Sequence, residues 1–455
     1  MKQLANLCIL SFLLCTVFSC KKTDYVKVLH DPALYRQTVK QLNNIVLENN
    51  FPPVIASRNY VYANIAAYEV IAAGNPDNYN SLSGQIKHLT KVPVPAKREA
   101  IDYQFAALLA FCKVGNAVTF PEGSMNEYVD QLKEKAINAG LPDDMFDASI
   151  IYADTVAKHI LKWSKGDNYL QTRSASKFTV TEEEGRWIPT PPMYASALEP
   201  HWCEIRPMVL DSPGQLVCPA PPKFDVKNKA SQFYKNALEV KMLGDSLSLE
   251  QKHIADFWDD NPFKMNVVGH VSYATKKFSP GGHWMNIVGI ATQKNQSDFN
   301  STVSTYAETS IALFDGFISC WYMKFKTNYL RPETVITRFI DPNWRPYIQT
   351  PPFPEYTSGH AVISAAAAEV LTARIGDSIP LRDTSETEFG IPERTFKSFR
   401  LAAREAGMSR VFGGIHYINS CKVGSMQGEE LGKMIVQKLQ LRKTKEKIAF
   451  APTNN

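Results

Sequence analysis

Three short stretches in the C-terminal half of the chain carry side chains suited to gripping a small oxyanion. The first, Lys324-x6-Arg331-Pro332, places two cations seven residues apart. On one continuous helix that is nearly two turns, so both would project from the same face, with Pro332 at its end or at a kink. Stacked like charges repel unless they share an anion; the plainer reading is a solvated basic face. The second is Ser358-Gly359-His360, directly before the alanine-rich run 361–368. Alanine is the strongest helix former, which puts the triplet at a helix N-terminus. Unpaired N–H groups there attract anions, and glycine lets a ligand approach the backbone. Ser358 adds a hydroxyl donor, and His360 a group that exchanges protons near neutrality. Simple capping by Thr357 or Ser358, with His360 a bystander, is the alternative. The third, Ser409-Arg410-x5-His416, contains Gly413-Gly414. That glycine pair lets the chain break, so Arg410 and His416 can converge where a straight helix would point them apart. A structural arginine beside a satisfied buried histidine is the competing reading. Together the motifs offer Lys324, Arg331 and Arg410, a helix terminus, two imidazoles and no carboxylate of their own. Such a set wants a compact, multiply charged oxyanion, held bidentately by arginine and by lysine as a point charge.

The elements that must position these residues read as helices. Apolar residues recur at helical spacing over 31–49, 60–73, 98–112, 144–163, 249–258, 301–322, 358–375 and 429–442. Alternating strand-like runs do not recur, so the expected fold class is mainly α, two helical bundles in one compact body. Nine of the chain's 28 prolines fall between Pro189 and Pro222. That density stops helix propagation, and Trp187 and Trp202 nearby argue for an ordered, wrapped connector. The expected organisation is an N-terminal helical half over 21–188, a connector over 189–248, a C-terminal helical half with the motifs over 249–445, and a tail over 446–455.

Composition excludes other classes. The chain is 44% hydrophobic and 21% charged, which argues against disorder, collagen and a polytopic membrane protein. A net charge of +5, without long Lys/Arg runs, makes nucleic acid an unexpected partner. Residues 1–20 resemble a signal of the lipoprotein type: Lys2, an apolar stretch from Leu7 to Phe18, then Cys20 followed by Lys21-Lys22. Export to the cell envelope is expected, with membrane contact only through a lipid on Cys20; an ordinary cleaved secretory signal is the alternative. The five later cysteines show no C-x-x-C spacing, and whether Cys203 and Cys218 pair is open.

The three motifs resemble the signature K-x6-R-P, P-S-G-H, S-R-x5-H-x3-D shared by type 2 phosphatidic acid phosphatases and vanadium-dependent haloperoxidases. The segments Phe257–Pro262, Pro280–Trp284, Pro352–Tyr356 and Trp187–Pro192 resemble the bacterial haloperoxidase branch. The resemblance implies vanadate as cofactor and a haloperoxidase oxidising halide with hydrogen peroxide, iodide first and bromide second. It implies that Lys324, Arg331, Arg410, Ser358 and Gly359 hold vanadate oxygens, that His416 binds vanadium, and that His360 is the acid–base group. Lys324 would also polarise the bound peroxide. Trp321 and Phe353 are candidates for a halide pocket, or ordinary core aromatics. The chain departs from the signature at Thr357, where proline is usual, and at Ser420, where the aspartate that orients the axial histidine is usual. The alternative activity is an envelope acid phosphatase working through a phosphohistidine at His416. A third reading is a lipoprotein that binds phosphate or vanadate without catalysis.

Overall fold

The apolar, helix-forming stretch around residues 299–327 folds as one 29-residue helix, and the rest of the chain is arranged around it. A computed structural model describes residues 24–95, 98–262, 264–268 and 271–443. The expected signal at 1–20, with Cys20, and the expected tail at 446–455 lie outside the described residues. The first helices are α1 (Tyr25–Leu29), α2 (Pro32–Glu48), α3 (Pro53–Gly74), α4 (Tyr103–Val118), α5 (Asn126–Asn138), α6 (Asp143–Ser164) and α7 (Tyr169–Arg173). Then follow α8 (Gln232–Asp245), α9 (Leu249–Phe257), α10 (Pro280–Lys294), α11 (Phe299–Thr327), α12 (Pro332–Phe339), α13 (Gly359–Ile375), α14 (Phe399–Phe412) and α15 (Ile418–Lys438). Two small antiparallel hairpins are the described sheets: β1 (Lys264–Val268) with β2 (Val271–Thr275), and β3 (Leu381–Asp383) with β4 (Arg394–Phe396).

Many helix starts follow the capping signals in the sequence. Asp31, Ser279 and Asp298 each accept a backbone N–H of the first turn, and Ser248 forms a reciprocal capping box with Gln251. Helix α11 is buried along nearly all its length and packs against both α3 and α13. Helix α3 also packs with α4 and α6, and α13 with α14 and α15, so α11 joins two helical groups through one continuous apolar core. The proline-rich segment packs onto α11. The Asp315 carboxylate of α11 accepts the N–H groups of Met208, Val209 and Leu210 at 2.7, 2.8 and 3.0 Å, which clamps this segment onto the central helix. Trp187 and Trp202 are fully buried beneath it.

The structure corrects several expectations. Lys324 and Arg331 do not share a helix. Helix α11 stops at Thr327, Asn328 turns left-handed at φ 46°, and Arg331 becomes the N-cap of α12 with Pro332 in its first turn. The end of the expected connector is helical as α8, because Ser231 caps a run that proline no longer interrupts. Periodicity also missed α5, α10, α12 and α14. The last helix begins at Ile418, well before the expected 429, and ends at Lys438. Its glycines obscure the pattern in sequence but serve the packing. Gly424, Gly428 and Gly432 lie along one face of α15 against α13, where a Cβ on Gly428 would overlap the Val362 carbonyl. All five described cysteines are free, and Cys203 and Cys218 border different apolar clusters.

Gly428→Ala is therefore expected to destabilise the fold by about 1–3 kcal/mol through overpacking. Met426→Ala, at an exposed position of the same helix, should stay within about 0.5 kcal/mol. Chemical denaturation of both variants checks this.

Candidate active site

The three motifs close around one buried point, with His416 at its centre. Helix α14 carries Arg410 in its last turn; Gly414 then adopts φ 78°, and the chain turns before α15. This break presents His416 between the two helices. Its Nδ1 lies 2.7 Å from Oε1 of Glu355, which also accepts the Tyr417 N–H at 3.1 Å. Its Nε2 lies 3.0 Å from Nη1 of Arg331. Arginine can only donate, so Nε2 is the bare nitrogen and Nδ1 carries the proton. Burial, then the charges of Arg331 and Lys324, hold His416 well below the usual histidine range. The ring is neutral at pH 7, with a lone pair on the nitrogen that faces the cations.

Those cations are buried. Arg331 donates through Nε to the Phe353 carbonyl and through Nη1 to the Ile415 carbonyl, at 3.0 and 2.9 Å. Arg410 donates to Ser409 Oγ and to the carbonyls of Trp258 and Asp259. Lys324 gives its Nζ donors to the carbonyls of Pro354, Glu355 and Thr357 at 3.1, 2.9 and 2.6 Å. Burial pushes Lys324 down to about 8 and Arg331 down to about 10. Arg331 Nη2 and the Ser358 hydroxyl are buried without a hydrogen-bond partner among the described residues. Unspent donors beside crowded cations fit a small oxyanion, because each such group is costly to bury unsatisfied.

Ser358 is the N-cap of α13 and Gly359 its first residue, as the alanine run predicts, although the Ser358 side chain makes no capping bond. His360 stands one residue further in. Its Nε2 is 3.5 Å from Oδ2 of Asp260, and burial, reinforced by the charge of Arg410, lowers it to about 4. A narrow cavity of about 60 Å³ reaches His360, Arg410 and His416 past the apolar faces of Phe317, Trp321 and Phe353. The Trp321 and Phe353 rings are 4.9 Å apart, and Phe353 lies 5.0 Å from both Lys324 Nζ and the Arg331 guanidinium carbon. The Trp321 indole N–H is spent on the Leu198 carbonyl.

Comparison with known proteins identifies the fold that carries this site. A profile of the VCPO second helical-bundle domain matches residues 337–443. The fold is similar to that of a solved structure described as the first bacterial vanadium-dependent iodoperoxidase. The two chains are 43% identical with a TM-score of 0.86, over 91% of this chain and 98% of that one. The chain belongs to the vanadium-dependent haloperoxidase family. Holo and apo structures of a bacterial vanadium-dependent chloroperoxidase share the fold at 15% identity. Their TM-scores are 0.61 and 0.63, over 85% and 86% of this chain and 92% and 94% of theirs. No curated protein matched by sequence.

In this member of the family the residues expected from the sequence do converge, but sequence reasoning missed their carboxylates. Glu355, not a residue of the third motif, supplies the acceptor on His416 Nδ1, and the Ser420 side chain lies beside it. The deficit inferred from Ser420 is thus made good from another segment. Burial, opposed by the charges of Arg331 and Lys324, pushes the Glu355 carboxyl up to about 7. Asp259 and Asp260 flank the Arg410 side. The only sequence signal for these three is their place in Pro352–Tyr356 and Phe257–Pro262, segments that carry a family resemblance but no role for the individual carboxylates.

Glu355→Ala should destabilise the protein by about 3–5 kcal/mol, because it leaves buried charges and the His416 Nδ1–H uncompensated. Adding Ser420→Asp should recover more than half of that loss in a denaturation experiment. No recovery would mean that position 420 does not address the same imidazole. In vanadate-free protein the His360 ring should stay neutral as pH falls and become protonated only near pH 4, which an NMR titration of the ring reads directly.

Proposed function

We propose that the protein oxidises halide with hydrogen peroxide to hypohalous acid, with iodide as the preferred halide and bromide second. The observation that carries this reading is the bare Nε2 of a neutral His416 facing three buried cations. Arg331, Arg410, Ser358 and the Gly359 amide would hold the oxygens of vanadate, and His416 Nε2 would take its metal. Bound vanadate supplies Lewis-acid activation of the peroxide without a change of oxidation state. Lys324 contributes positive charge and holds the 354–357 turn through its carbonyl bonds. Touching the anion or the peroxide would cost it one of those bonds.

Neutral His360 is the proton acceptor for incoming peroxide, and the Asp260 carboxylate steadies the imidazolium that results. His360 then returns the proton as hypohalous acid leaves. Trp321, Phe353 and Phe317 present ring faces to the cavity, which favours an anion that sheds water easily. Iodide is the least strongly hydrated common halide and the easiest to oxidise. A phosphohistidine phosphatase could use the same imidazole and cations, and Glu355 supplies the orienting carboxylate that position 420 lacks. The relatives do not favour it.

Protein dialysed free of phosphate should consume peroxide in the presence of iodide only after orthovanadate is added, and should not hydrolyse a phosphomonoester. The reverse pattern would establish the phosphatase. His416→Ala should abolish vanadate retention measured by equilibrium dialysis. His360→Ala should retain the ion and lose about 100-fold or more in turnover; retention lost there as well would place His360 in binding.

A further inference from the structure

Asp260 meets His360 on one side and a second buried cluster on the other. His283, in the first turn of α10, is fully buried and stacks on Trp258 with ring centroids 4.6 Å apart. Its Nδ1 lies 2.9 Å from Asp260 Oδ1 and 3.7 Å from Glu386 Oε1. On the opposite edge of the ring, Nε2 lies 2.9 Å from Oδ2 of Asp383, the last residue of β3. Asp383 and Glu386 are 0% exposed and Asp260 2%. Both Glu386 oxygens and Asp260 Oδ2 lack a hydrogen-bond partner among the described residues. Lys277, the nearby ammonium, is engaged with Asp259 and the Asp256 carbonyl.

We propose that His283 Nδ1, Asp260 and Glu386 ligate a divalent transition-metal ion, Zn²⁺, at a site separate from the vanadate cradle. One ligand atom from each residue lies within 4.8 Å of the other two. Bonds of about 2.1 Å set neighbouring ligand atoms roughly 3.0–3.4 Å apart. The distances of 2.9 and 3.7 Å from Nδ1 bracket that spacing. Without metal both ring nitrogens donate to carboxylates, and against burial the charges of Asp260 and Asp383 raise His283 well above the usual histidine range. The ion would take the place of the Nδ1 proton, while Asp383 keeps the Nε2–H and fixes the ring, the usual support of a metal-bound imidazole. One imidazole and two carboxylates, without a thiolate, suit Zn²⁺, with Mn²⁺ the nearest rival. The Glu386 carboxylate, buried with neither oxygen hydrogen-bonded, is the group a cation would satisfy. Held there, the ion ties α10 and the turn after β3 to Asp260, and through Asp260 it positions the partner of His360.

The test uses the full chain, vanadate-free, equilibrated with ZnCl₂ and then dialysed against metal-free buffer. Elemental analysis should find about one zinc per chain, and Glu386→Gln should reduce this at least about tenfold. Co²⁺ in place of zinc should give visible ligand-field absorption in the parent and none in the variant. Glu386 makes no hydrogen bond that glutamine would break, so its fold, followed by circular dichroism, should persist. His283→Gln, which also removes the nitrogen ligand, should lose zinc alike. Less than about 0.1 zinc per folded parent chain, or equal zinc in Glu386→Gln, overturns the site and leaves a proton-filled hydrogen-bond network. Retention of Mn²⁺ but not Zn²⁺ overturns the choice of ion. Because the readout is metal content and not turnover, this result is independent of the haloperoxidase assay.

Discussion

The central constraint is the burial of Lys324, Arg331 and Arg410 around an imidazole that must stay uncharged. Desolvating a cation is costly, and three together repel as well. The structure offsets this mainly with backbone carbonyls, from 258–259, 353–355, 357 and 415, and with one carboxylate, Glu355. Carbonyl dipoles steady the cations without cancelling their charge. A field of fixed positive charge therefore survives inside the protein, preorganised for an anion. Partial compensation also explains why Arg331 Nη2 and the Ser358 hydroxyl stand unspent.

The rest of the fold serves that arrangement. Lys324 must come from the end of a buried helix, so α11 is long and its surroundings are apolar. The segment from Phe353 to Thr357 must expose carbonyls toward Lys324 and Arg331 while delivering the Glu355 side chain, which an irregular, bent stretch does and a helix, with its carbonyls spent internally, would not. Helix α13 must bring its N-terminus to the same point as His416, and the close packing of α15 on α13 across the glycine face sets that distance. The wrapped connector, pinned by Asp315, closes the cavity wall at Leu198. Each device is ordinary; their coincidence at one point is what makes a site.

The two histidines show how neighbours divide the labour. His416 is neutral with its proton on the Glu355 side, leaving a lone pair among cations. His360 is neutral beside Asp260, and a proton gained there meets a carboxylate. Exchanging these environments would exchange the chemistry, although the residue type is the same. Function thus follows the site, while the fold, shared with chloroperoxidases at 15% identity, leaves the halide open.

The amino-acid sequence alone determined the helical class, the helix start at Ser358-Gly359 and the break at Gly413-Gly414. These are local properties, set by propensity, capping and backbone freedom within a few residues. The oxyanion preference was also legible, because cations and imidazoles kept without carboxylates in their own motifs are an unusual grouping. Tertiary structure alone decided that Glu355 replaces the carboxylate absent at position 420, and that Asp260 joins His360 to His283. These partners are 61, 100 and 23 residues apart, and nothing in the local pattern of a glutamate or aspartate says which distant ring it will meet. It decided too that Lys324 and Arg331 lie in different helices, and that a glycine-rich face marks a tight helix contact and not a helix end. In each case the reason is the same. A side chain's partner is chosen by how helices pack, and packing depends on the whole apolar surface rather than on its neighbours in the chain.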